Sequence, residues 1–568
     1  MPFNINANWE GMKSLRVWVF IIRIIRSPIP VWWAIGLFLA GLFAWTGRYG
    51  MNPDGIQYSD IAVGAANGDP GQLVNSLWSP AYPALISLIL EILRPDSGHE
   101  TQVVHLTNFI IFIFSLFGFS FFLKNLRPDD LFDSPAKNAL WVFYSFGFCI
   151  YFWFVLRWIG LKQVAPDLLM AGMVLFIAGL VLKLSSAVKT WKSYFFLGLV
   201  MGLGYYVKAP LFTFGIVLFL LLFFFTPPNI SRKKLLLSLF AFSITVLPYA
   251  VALSRNAGHL TVSESARLNY IWHVNKLDII SWSRKDYSGF GSPVHPPRLI
   301  FDKPLTLEFA EPINGTCPLI SDPSYWFSGA NPRFNLKQQI SAFGENRDVY
   351  GVVLLESMGL IAGGLILFVF YIRKNSFIKI KLDTFWLFVW PLMAAGIYAF
   401  VHTELRYLAA FSIIFWLALY NELAQKMGSS VNSSVLGGVV LFYFICLIVV
   451  GQKRFEEAKV LDRPDYRPGY EVVLRNLHSM GVKPLDRIAV VGDAGDCYFA
   501  HLGGLKIVAE TFNVEEFQNL GVEKMSAYLN SLKPLGIKAV VVKGPLPSFG
   551  KGWKRIVVPD QELSIFIL

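Results

Sequence analysis

The chain has 568 residues, of which 54% are hydrophobic and only 15% are charged. Since about a quarter of the residues of a typical soluble domain are charged, this composition excludes an ordinary soluble domain and indicates a polytopic membrane protein. The net charge of +12 could suggest nucleic-acid binding. However, the basic residues lie between apolar runs, as in cytoplasmic loops that face anionic lipid. We therefore expect membrane lipids, and no nucleic acid, as partners.

Apolar runs recur along the chain, and most of them approach the ~20 residues that a spanning helix needs. They predict a polytopic α-helical membrane protein with about eleven spans, interfacial helices in its first outer loop and a small C-terminal α/β domain. The predicted spans lie near residues 30–46, 101–123, 138–156, 164–182, 193–207, 210–226, 235–253, 349–371, 383–401, 407–425 and 434–451. The four cysteines lack CxxC spacing, so no zinc or redox site is implied. No small-residue cleavage site follows the first apolar stretch, so we expect no cleavable signal peptide.

Lysine and arginine are concentrated before the first span and in alternate connections, which the positive-inside rule places in the cytoplasm. The segment before the first span carries Lys13, Arg16, Arg23 and Arg26. The outer side then holds residues 47–100, residues 254–348 and the tail from residue 452. These assignments predict a transmembrane domain over residues 1–451 and an extracytoplasmic domain over residues 452–568.

The apolar stretch Ala81–Leu93 has only thirteen residues. If it crossed the membrane, every later connection would change sides and the basic loops would face outward. We therefore interpret it as an interfacial or re-entrant helix, with Ser79 as its N-cap and Pro80 in its first turn.

The tail from residue 452 changes in composition and predicts a small α/β domain. The segments "DRIAVVGD" and "IKAVVVKG" are typical of buried strands, and residues 468–480 and 513–533 of helices. The segment "VVGDAGDCYFAHLGG" resembles a strand-to-loop phosphate turn, but it does not have the G-x-G-x-x-G spacing, so nucleotide binding is disfavoured.

Asp54 follows the first span within "MNPDGIQYSD". Asn52 suits an N-cap and Pro53 the first helical position, so Asp54 falls in the first turn, where the helix dipole stabilises it by ~0.3–1 kcal/mol. Tyr58, four residues on, lies on the same side of the helix, whereas Asp60 faces elsewhere. Asp54 is therefore either a helix cap or, with Tyr58, part of a site, and Asp60 is a supporting or surface acid.

Other candidates lie at the predicted outer ends of the spans, and each has a simpler structural interpretation. Trp78 and Tyr82 in "NSLWSPAYP" suit an aromatic belt. Asp167 in "KQVAPDLLM" suits a helix start, and Lys208 in "YYVKAP" either snorkels or binds a phosphate.

Two further segments combine charged residues with aromatic residues or histidine. "VHTELRYL" contains His402, Glu404 and Arg406, which form either a solvated turn or a functional cluster at the mouth of the spans. "ESARLNYIWHVN" contains Arg267 and is otherwise typical of a surface amphipathic helix. Arginine is well suited to phosphate binding.

Taken together, these motifs resemble the GT-C superfamily of polytopic glycosyltransferases, which includes protein O-mannosyltransferases and the lipid A aminoarabinose transferase. The resemblance is closest to uncharacterised bacterial members and covers most of the membrane part. The segments that carry it are "NPDGIQYSDIA", "WSPAYP", "APDLL", "GLGYYVKAP", "LNYIWHVN" and "VHTELRYL". It implies a polyprenyl-phosphate sugar donor, a protein, lipid or glycan acceptor, and a bacterial inner-membrane location. Protein O-mannosyltransferases and the aminoarabinose transferase typically carry Lys-Pro where this chain has Ser79 and Pro80. In this chain, another cation must therefore bind the donor phosphate.

The resemblance implies an essential Asp in the first outer loop, and by position this residue is Asp54, acting as general base in an inverting transfer. For the donor phosphate we expect, in this order, Arg406, Lys208, His402 and Arg267. Glu404 and the rings of Tyr58, Trp78 and Tyr82 would complete the substrate site, supported by Asp60 and Asp167. No cofactor is required, although Asp54 with Glu404 could hold a divalent metal.

Three other classes of function remain open. A lipid-linked polysaccharide polymerase or ligase would use similar substrates. A membrane transporter is disfavoured because the sequence shows no internal repeat and its ionic residues cluster at the outer ends of the spans. A purely structural or receptor role would leave Asp54 as a helix cap.

Overall fold

The computed structural model describes a membrane part built of helices and a part built on one β-sheet. The described residues are 27–127, 137–187, 189–227, 229–283, 289–374, 384–425, 429–463, 466–544, 552–558 and 561–568. The basic residues Lys13, Arg16, Arg23 and Arg26 lie outside them.

The first half of the chain forms most of the membrane helices. They are α1 (Ile29–Gly47), α2 (Pro53–Ala66), α3 (Ala81–Leu93), α4 (Glu100–Leu126), α5 (Lys137–Trp153, continued by π-helix Phe154–Ile159), α6 (Asp167–Ser186), α7 (Trp191–Val207), α8 (Pro210–Phe224) and α9 (Arg232–Ala257). Short helices follow: α10 (Ser265–Asn269, continued by π-helix Tyr270–Val274), α11 (Ile279–Ser283), α12 (Pro318–Ser321) and α13 (Pro323–Trp326). The later membrane helices are α14 (Leu336–Glu356), α15 (Met358–Lys374), α16 (Trp386–Ala399), α17 (Leu405–Gln425) and α18 (Ser429–Leu461).

The chain is an integral membrane protein with six or seven candidate spans among its described helices, so the prediction of eleven is not confirmed. Helices α1, α4, α6, α9 and most of α18, with Asn138–Ile159, are long and apolar enough to cross. A seventh candidate is α14 with α15, which meet at a 62° bend. Helices α7, α8 and α16 form where spans are predicted but have only 17, 15 and 14 residues. They are thus ~21–26 Å long, less than the ~30 Å hydrocarbon core.

Small residues allow the membrane helices to approach closely. A Cβ at Gly118 of α4 would lie 2.6 Å from the backbone oxygen of Gly172 in α6, so only glycine fits where these two helices cross. This contact holds α6, whose first residue is Asp167, against the bundle.

Helix α2 begins as the sequence predicts, with Asn52 as N-cap, Pro53 at the first position and Asp54 in the first turn. The side chain of Asn52 does not cap its own helix. Its Oδ1 accepts from the backbone N–H of Val164 at 2.8 Å and its amide donates to the Val164 carbonyl at 3.4 Å. Asn52 therefore ties the start of α2 to the loop that leads into α6.

The expected cap of α3 is wrong. The helix begins at Ala81, its N-cap residue is Pro80, and no side chain caps it. The hydroxyl of Ser79 instead accepts from the backbone N–H of Ala209 at 3.1 Å, at the start of α8. Ser79 thus joins the first outer segment to the turn that contains Lys208.

The β-sheet has seven strands in the order β1-β2-β4-β3-β5-β7-β6, with β3, β4 and β5 parallel. The strands are β1 (Arg298–Phe301), β2 (Thr306–Glu308), β3 (Arg487–Val491), β4 (Lys506–Thr511), β5 (Ile537–Lys543), β6 (Trp553–Val558) and β7 (Gln561–Ile567). Strands β3 and β5 confirm the two predicted buried strands. Strands β1 and β2 come from the predicted outer loop, so the loop and the tail share one sheet.

Four helices cover the two faces of this sheet: α19 (Gly469–Ser479), α20 (Tyr498–Leu502), α21 (Val514–Gln518) and α22 (Val522–Leu532). Helices α19 and α20 contribute Leu477 and Phe499 to one apolar cluster, and α21 and α22 contribute Phe517 and Tyr528 to the other. The predicted helix at 468–480 is confirmed, whereas the stretch 513–533 forms two helices.

Candidate active site

Arg406 lies at the centre of a charged cluster formed by three distant segments. Its Nη2 is 3.2 Å from Oδ2 of Asp54, at the start of α2, and its Nη1 is 3.4 Å from Oδ2 of Asp167, at the start of α6. Its Nε and Nη2 bind both oxygens of Glu404 at 2.8 and 2.9 Å. One guanidinium thus holds three carboxylates together.

Lys208 adds a second cation to this cluster. Its Nζ is 2.5 Å from Oδ1 of Asp167 and 4.1 Å from the ring centroid of Tyr407. The side chain of Asp167 is only 1% exposed, and its Oδ2 makes no hydrogen bond. A carboxylate buried this deeply needs charge partners, so Asp167 holds the cations of Lys208 and Arg406 beside each other.

Glu404 connects the cluster to two histidines. His402 Nε2 is 3.5 Å from Glu404 Oε1, and its ring stacks on that of His273 with centroids 3.9 Å apart. Burial opposes ionisation of Glu404, but hydrogen bonds from His402 and Arg406 hold its pKa well below the ordinary value. Burial, and then His402, lowers the pKa of His273 to about 4. Glu404 is therefore charged and His273 neutral near pH 7.

A cavity of about 660 Å³ opens beside the cluster. Its lining residues come from the π-helix after α5 and the loop that follows it, from α14, and from the start of α17 with the turn before it. They are Trp158, Ile159, Gln163, Asp348, Val349, Val352, His402, Thr403, Glu404, Leu405 and Arg406. Sequence reasoning missed Gln163 and Asp348, because nothing local connects them with residues 402–406. The volume is within the ~300–1,000 Å³ of typical small-molecule sites.

The three predicted aromatic residues, Trp78, Tyr58 of α2 and Tyr82 of α3, pack together. The ring of Tyr58 is buried, with centroids 5.1 Å from Trp78 and 5.2 Å from Tyr82 in edge-on contacts. The hydroxyl of Tyr82 donates to Asn108 Oδ1 at 2.7 Å. Burial, and then the charge of Asp54, raises the pKa of Tyr58 well above its ordinary value. Tyr58 therefore stays protonated near Asp54. Its packing against Tyr82 holds α2 against α3.

Arg267 is not brought into the cluster. It pairs with Glu264 at 2.5 Å and donates to the backbone oxygens of Ala330 and Phe327 at 2.7 and 3.3 Å. Its guanidinium is thus occupied within the segment between α9 and α14.

Asp60 lies in a second cluster, at the contact between α2 and the sheet part. Its carboxylate accepts from the backbone N–H and the hydroxyl of Thr316, both at 2.7 Å, and from His501 Nδ1 at 2.6 Å. The other ring nitrogen of His501 is 2.6 Å from Glu100 Oε1. Burial lowers the pKa of His501, but Glu100 and Asp60 outweigh it and raise the pKa to about 10. His501 is therefore an imidazolium bound by two carboxylates, which the sequence did not indicate.

The metal site that Asp54 and Glu404 could form is occupied by a cation of the chain itself. Nη2 of Arg406 faces Asp54 at 3.2 Å and Glu404 at 2.9 Å. Within the described ranges, no group of three or more His, Cys, Asp or Glu residues is placed to hold a metal ion.

No protein-family model matches the sequence, and no curated protein matches it. The fold is similar to that of the oligosaccharyltransferase of Archaeoglobus fulgidus in complex with Zn and sulfate, at 12% identity and a TM-score of 0.47 over 89% of this chain and 68% of that one. It is also similar to ArnT from Cupriavidus metallidurans bound to undecaprenyl phosphate, at 11% identity and a TM-score of 0.45 over 94% and 97% of the two chains.

Both solved structures are GT-C enzymes, so the resemblance expected from the sequence is confirmed as a structural similarity over most of the chain. With TM-scores below 0.5, the likeness is loose and carries no conclusion about activity.

Proposed function

We propose that this chain is a membrane glycosyltransferase that moves a sugar from a polyprenyl-phosphate-linked donor to an acceptor at the outer membrane face. The observation that carries the proposal is the contact of Asp54, Asp167, Lys208 and Arg406 beside a cavity at the ends of the membrane helices. These residues come from connections that the positive-inside rule assigns to one side of the membrane, the side opposite the basic loops. We accordingly assign the N-terminal segment to the cytoplasm and the tail domain from residue 452 to the periplasm of a bacterial inner membrane.

The donor phosphate is assigned to Arg406 and Lys208, with His402 in the lining of the cavity. The phosphate of a lipid-linked sugar is held at headgroup level by its chain, so a cationic site at the ends of the spans is where it can be reached. A planar guanidinium can bind two phosphate oxygens at once. In the resting chain, three carboxylates face these two cations, so the phosphate must displace a carboxylate. Asp54 and Glu404 are almost equally exposed, and we assign the displacement to Asp54 because Glu404 holds the guanidinium with both of its oxygens and Asp54 with only one.

Asp54 is then assigned as the general base. Its carboxylate takes the proton of the acceptor hydroxyl or amine as that group attacks C1 of the sugar. A bond forms between the acceptor atom and C1, and the bond from C1 to the phosphate oxygen breaks. Polyprenyl phosphate leaves with the electron pair, and its growing charge is stabilised by Arg406 and Lys208. Attack opposite the leaving phosphate inverts the anomeric centre.

Asp54→Asn tests this assignment because it keeps a polar group in the first turn of α2. In nanodiscs with polyprenyl-phosphate sugars extracted from the producing cell's membranes, release of polyprenyl phosphate is followed by mass spectrometry. We expect transfer to fall by ~10²–10⁴-fold, the contribution of a general base, at an unchanged melting temperature. Analysis of the glycosylated product distinguishes a single-sugar transferase from a polymerase or ligase.

The matched control is Asp69→Asn, because Asp69 is an exposed acid of the same outer segment whose carboxylate accepts hydrogen bonds from the neighbouring Gly71 and Gln72. It is expected to transfer at the wild-type rate. An Asp54→Asn protein that is as active as the control would remove Asp54 from the chemistry.

A further inference from the structure

Helix α14 has three different sides, and its N-terminal half extends beyond the predicted span at 349–371. One side is buried against the protein and carries Gln339, Ala342 and Asn346. The opposite side is polar and exposed, with Ser341 and Glu345 among its residues. The third side lies between these two and is apolar.

This third side is an exposed apolar stripe formed by Leu336, Ile340 and Phe343, which are 64%, 61% and 39% exposed. Their spacing of four and three residues puts them on one line along the helix. Phe334, just before the helix, extends the line and is 75% exposed. Large apolar side chains aligned in this way, rather than scattered singly, mark a contact surface.

The stripe continues directly onto the end of a membrane helix. The ring of Phe343 packs edge-on against that of Phe400, just after α16, with centroids 5.1 Å apart. Gln339 donates to the Phe400 carbonyl at 2.7 Å and Asn346 to the Ala399 carbonyl at 2.9 Å. Phe400 is itself exposed, as are Leu392 and Met393 on the outer surface of α16. The apolar surface of α16 and the stripe of α14 therefore form one continuous surface.

The bend between α14 and α15 determines how far the stripe rises above the end of α15. The 21 residues of α14 make a helix ~31 Å long at 1.5 Å per residue. Inclined by 62° to α15, it rises only ~15 Å along the direction of α15. With α15 along the membrane normal, α14 runs obliquely through the interfacial region instead of projecting into water.

We infer that the N-terminal half of α14 lies in the membrane–water interface, with its apolar stripe against the acyl chains of the adjacent leaflet. Exposed Arg347, four residues after Phe343, then reaches the phosphates of the lipid headgroups, as basic residues at such boundaries do. This surface is separate from the proposed transfer reaction, and the inference does not depend on it.

Site-directed spin labelling of the full chain in nanodiscs tests the inference with adjacent residues as a matched pair. Cys446 is replaced by Ser because it is partly exposed and could react with the label. The other three cysteines are buried and are kept. Labels are introduced by Ile340→Cys on the stripe and by Ser341→Cys on the polar side. We expect the label at 340 to collide mainly with oxygen, which dissolves in lipid, and the label at 341 mainly with a water-soluble nickel complex. The ratio of the two accessibilities should differ several-fold between them.

A second adjacent pair, Leu336→Cys and Lys337→Cys, makes the same measurement if Ile340→Cys does not fold. Equal access of nickel to both members of a pair would mean that the stripe faces water, and the inference would be wrong. Labels on the stripe that are protected from both reagents would mean that protein covers it, either a second copy of the chain or another partner, and this result would overturn the inference as well.

Discussion

Asp54 and Asp60 lie on the same short helix, α2, in two different clusters. Asp54 is partly exposed, and its Oδ2 faces a guanidinium beside a cavity. The side chain of Asp60 is only 11% exposed, and both of its oxygens accept hydrogen bonds, from Thr316 and from His501. A carboxylate with both oxygens occupied is poorly placed to take a proton from a substrate, whereas a partly exposed one can do so once its neighbour moves. The same residue type is thus suited to chemistry at one position and to attachment at the other.

The cations of the two clusters differ in the same way. His501 is enclosed by Asp60 and Glu100 and joins α2 and the start of α4 to the sheet part. Arg406 lines the cavity, Lys208 shares the partner Asp167 with it, and another partner of Arg406, Asp54, is partly exposed. The cluster of His501, Asp60 and Glu100 is closed, because neighbours fix each of its groups. The cluster around Arg406 is open, because an incoming anion can compete for its cations.

The largest effect is expected from opening the closed cluster with His501→Gln. Removing the imidazolium leaves Asp60 and Glu100 without their shared cation, and breaking a buried pair costs about 3–5 kcal/mol. We expect faster hydrogen exchange in α2 and in residues 494–502, and a lower melting temperature of the full chain. His99→Gln is the control, since His99 pairs with Asp96 on the surface, where such pairs contribute at most about 1 kcal/mol. Equal effects of the two variants would show that the buried cluster does not hold the parts together.

The same variant should also change how stability depends on pH. The pKa of His501 is raised from 6.5 to about 10, because Glu100 and Asp60 outweigh burial. Its contribution is therefore complete below about pH 6.5 and is lost as the pH rises through 10. The pKa of Asp60 is lowered, because hydrogen bonds from His501 and Thr316 outweigh burial, so its contribution is lost as the pH falls below 3.8. The melting temperature of the wild type should fall as the pH rises from 7 to 10. In His501→Gln, this decrease should be absent.

An intermediate effect is expected at the open cluster from Arg406→Ala. Losing charge-assisted hydrogen bonds to a phosphate should weaken binding of polyprenyl phosphate by ~10–100-fold, as measured by native mass spectrometry in nanodiscs. Arg267→Ala is an informative comparison, because Arg267 is occupied by Glu264 and two carbonyls and should not change this affinity. If Arg406→Ala binds the lipid as well as the wild type, the guanidinium is not part of the donor site.

The local features of the open cluster could be predicted from the sequence. Asn52, Pro53 and Asp54 are helix-start signals that act within one turn, and α2 begins there. The regular alternation of basic loops also placed the candidate residues on one side of the membrane. The pairing itself was not predictable, because Arg406 and Asp54 are 352 residues apart and only the packing of the helices brings them together.

The closed cluster and the sheet show what the sequence could not indicate. Strands β1 and β2 have four and three residues, too short for an alternating pattern to be recognised. The pairing of β2 with β4 draws the outer segment containing Thr316 towards the tail, where Thr316 binds Asp60, the partner of His501. The prediction of eleven spans is not confirmed for a related reason: α7, α8 and α16 are apolar but short, and hydropathy alone does not give helix length.

The smallest effect is also the most specific to the open cluster. In the resting chain Asp54 competes for the guanidinium that we assign to the donor phosphate, at 3.2 Å from its Nη2. Asp54→Asn removes this competing charge and leaves Arg406 paired with Glu404 and Asp167. Polyprenyl phosphate should then bind a few-fold more tightly, since a partly exposed ion pair contributes up to about 1 kcal/mol, even though transfer is lost. Asp69→Asn should leave the affinity unchanged. Weaker lipid binding by Asp54→Asn would mean that Asp54 itself helps to hold the phosphate, through a bound cation or a protonated carboxyl group, and the competition between carboxylate and phosphate would be wrong.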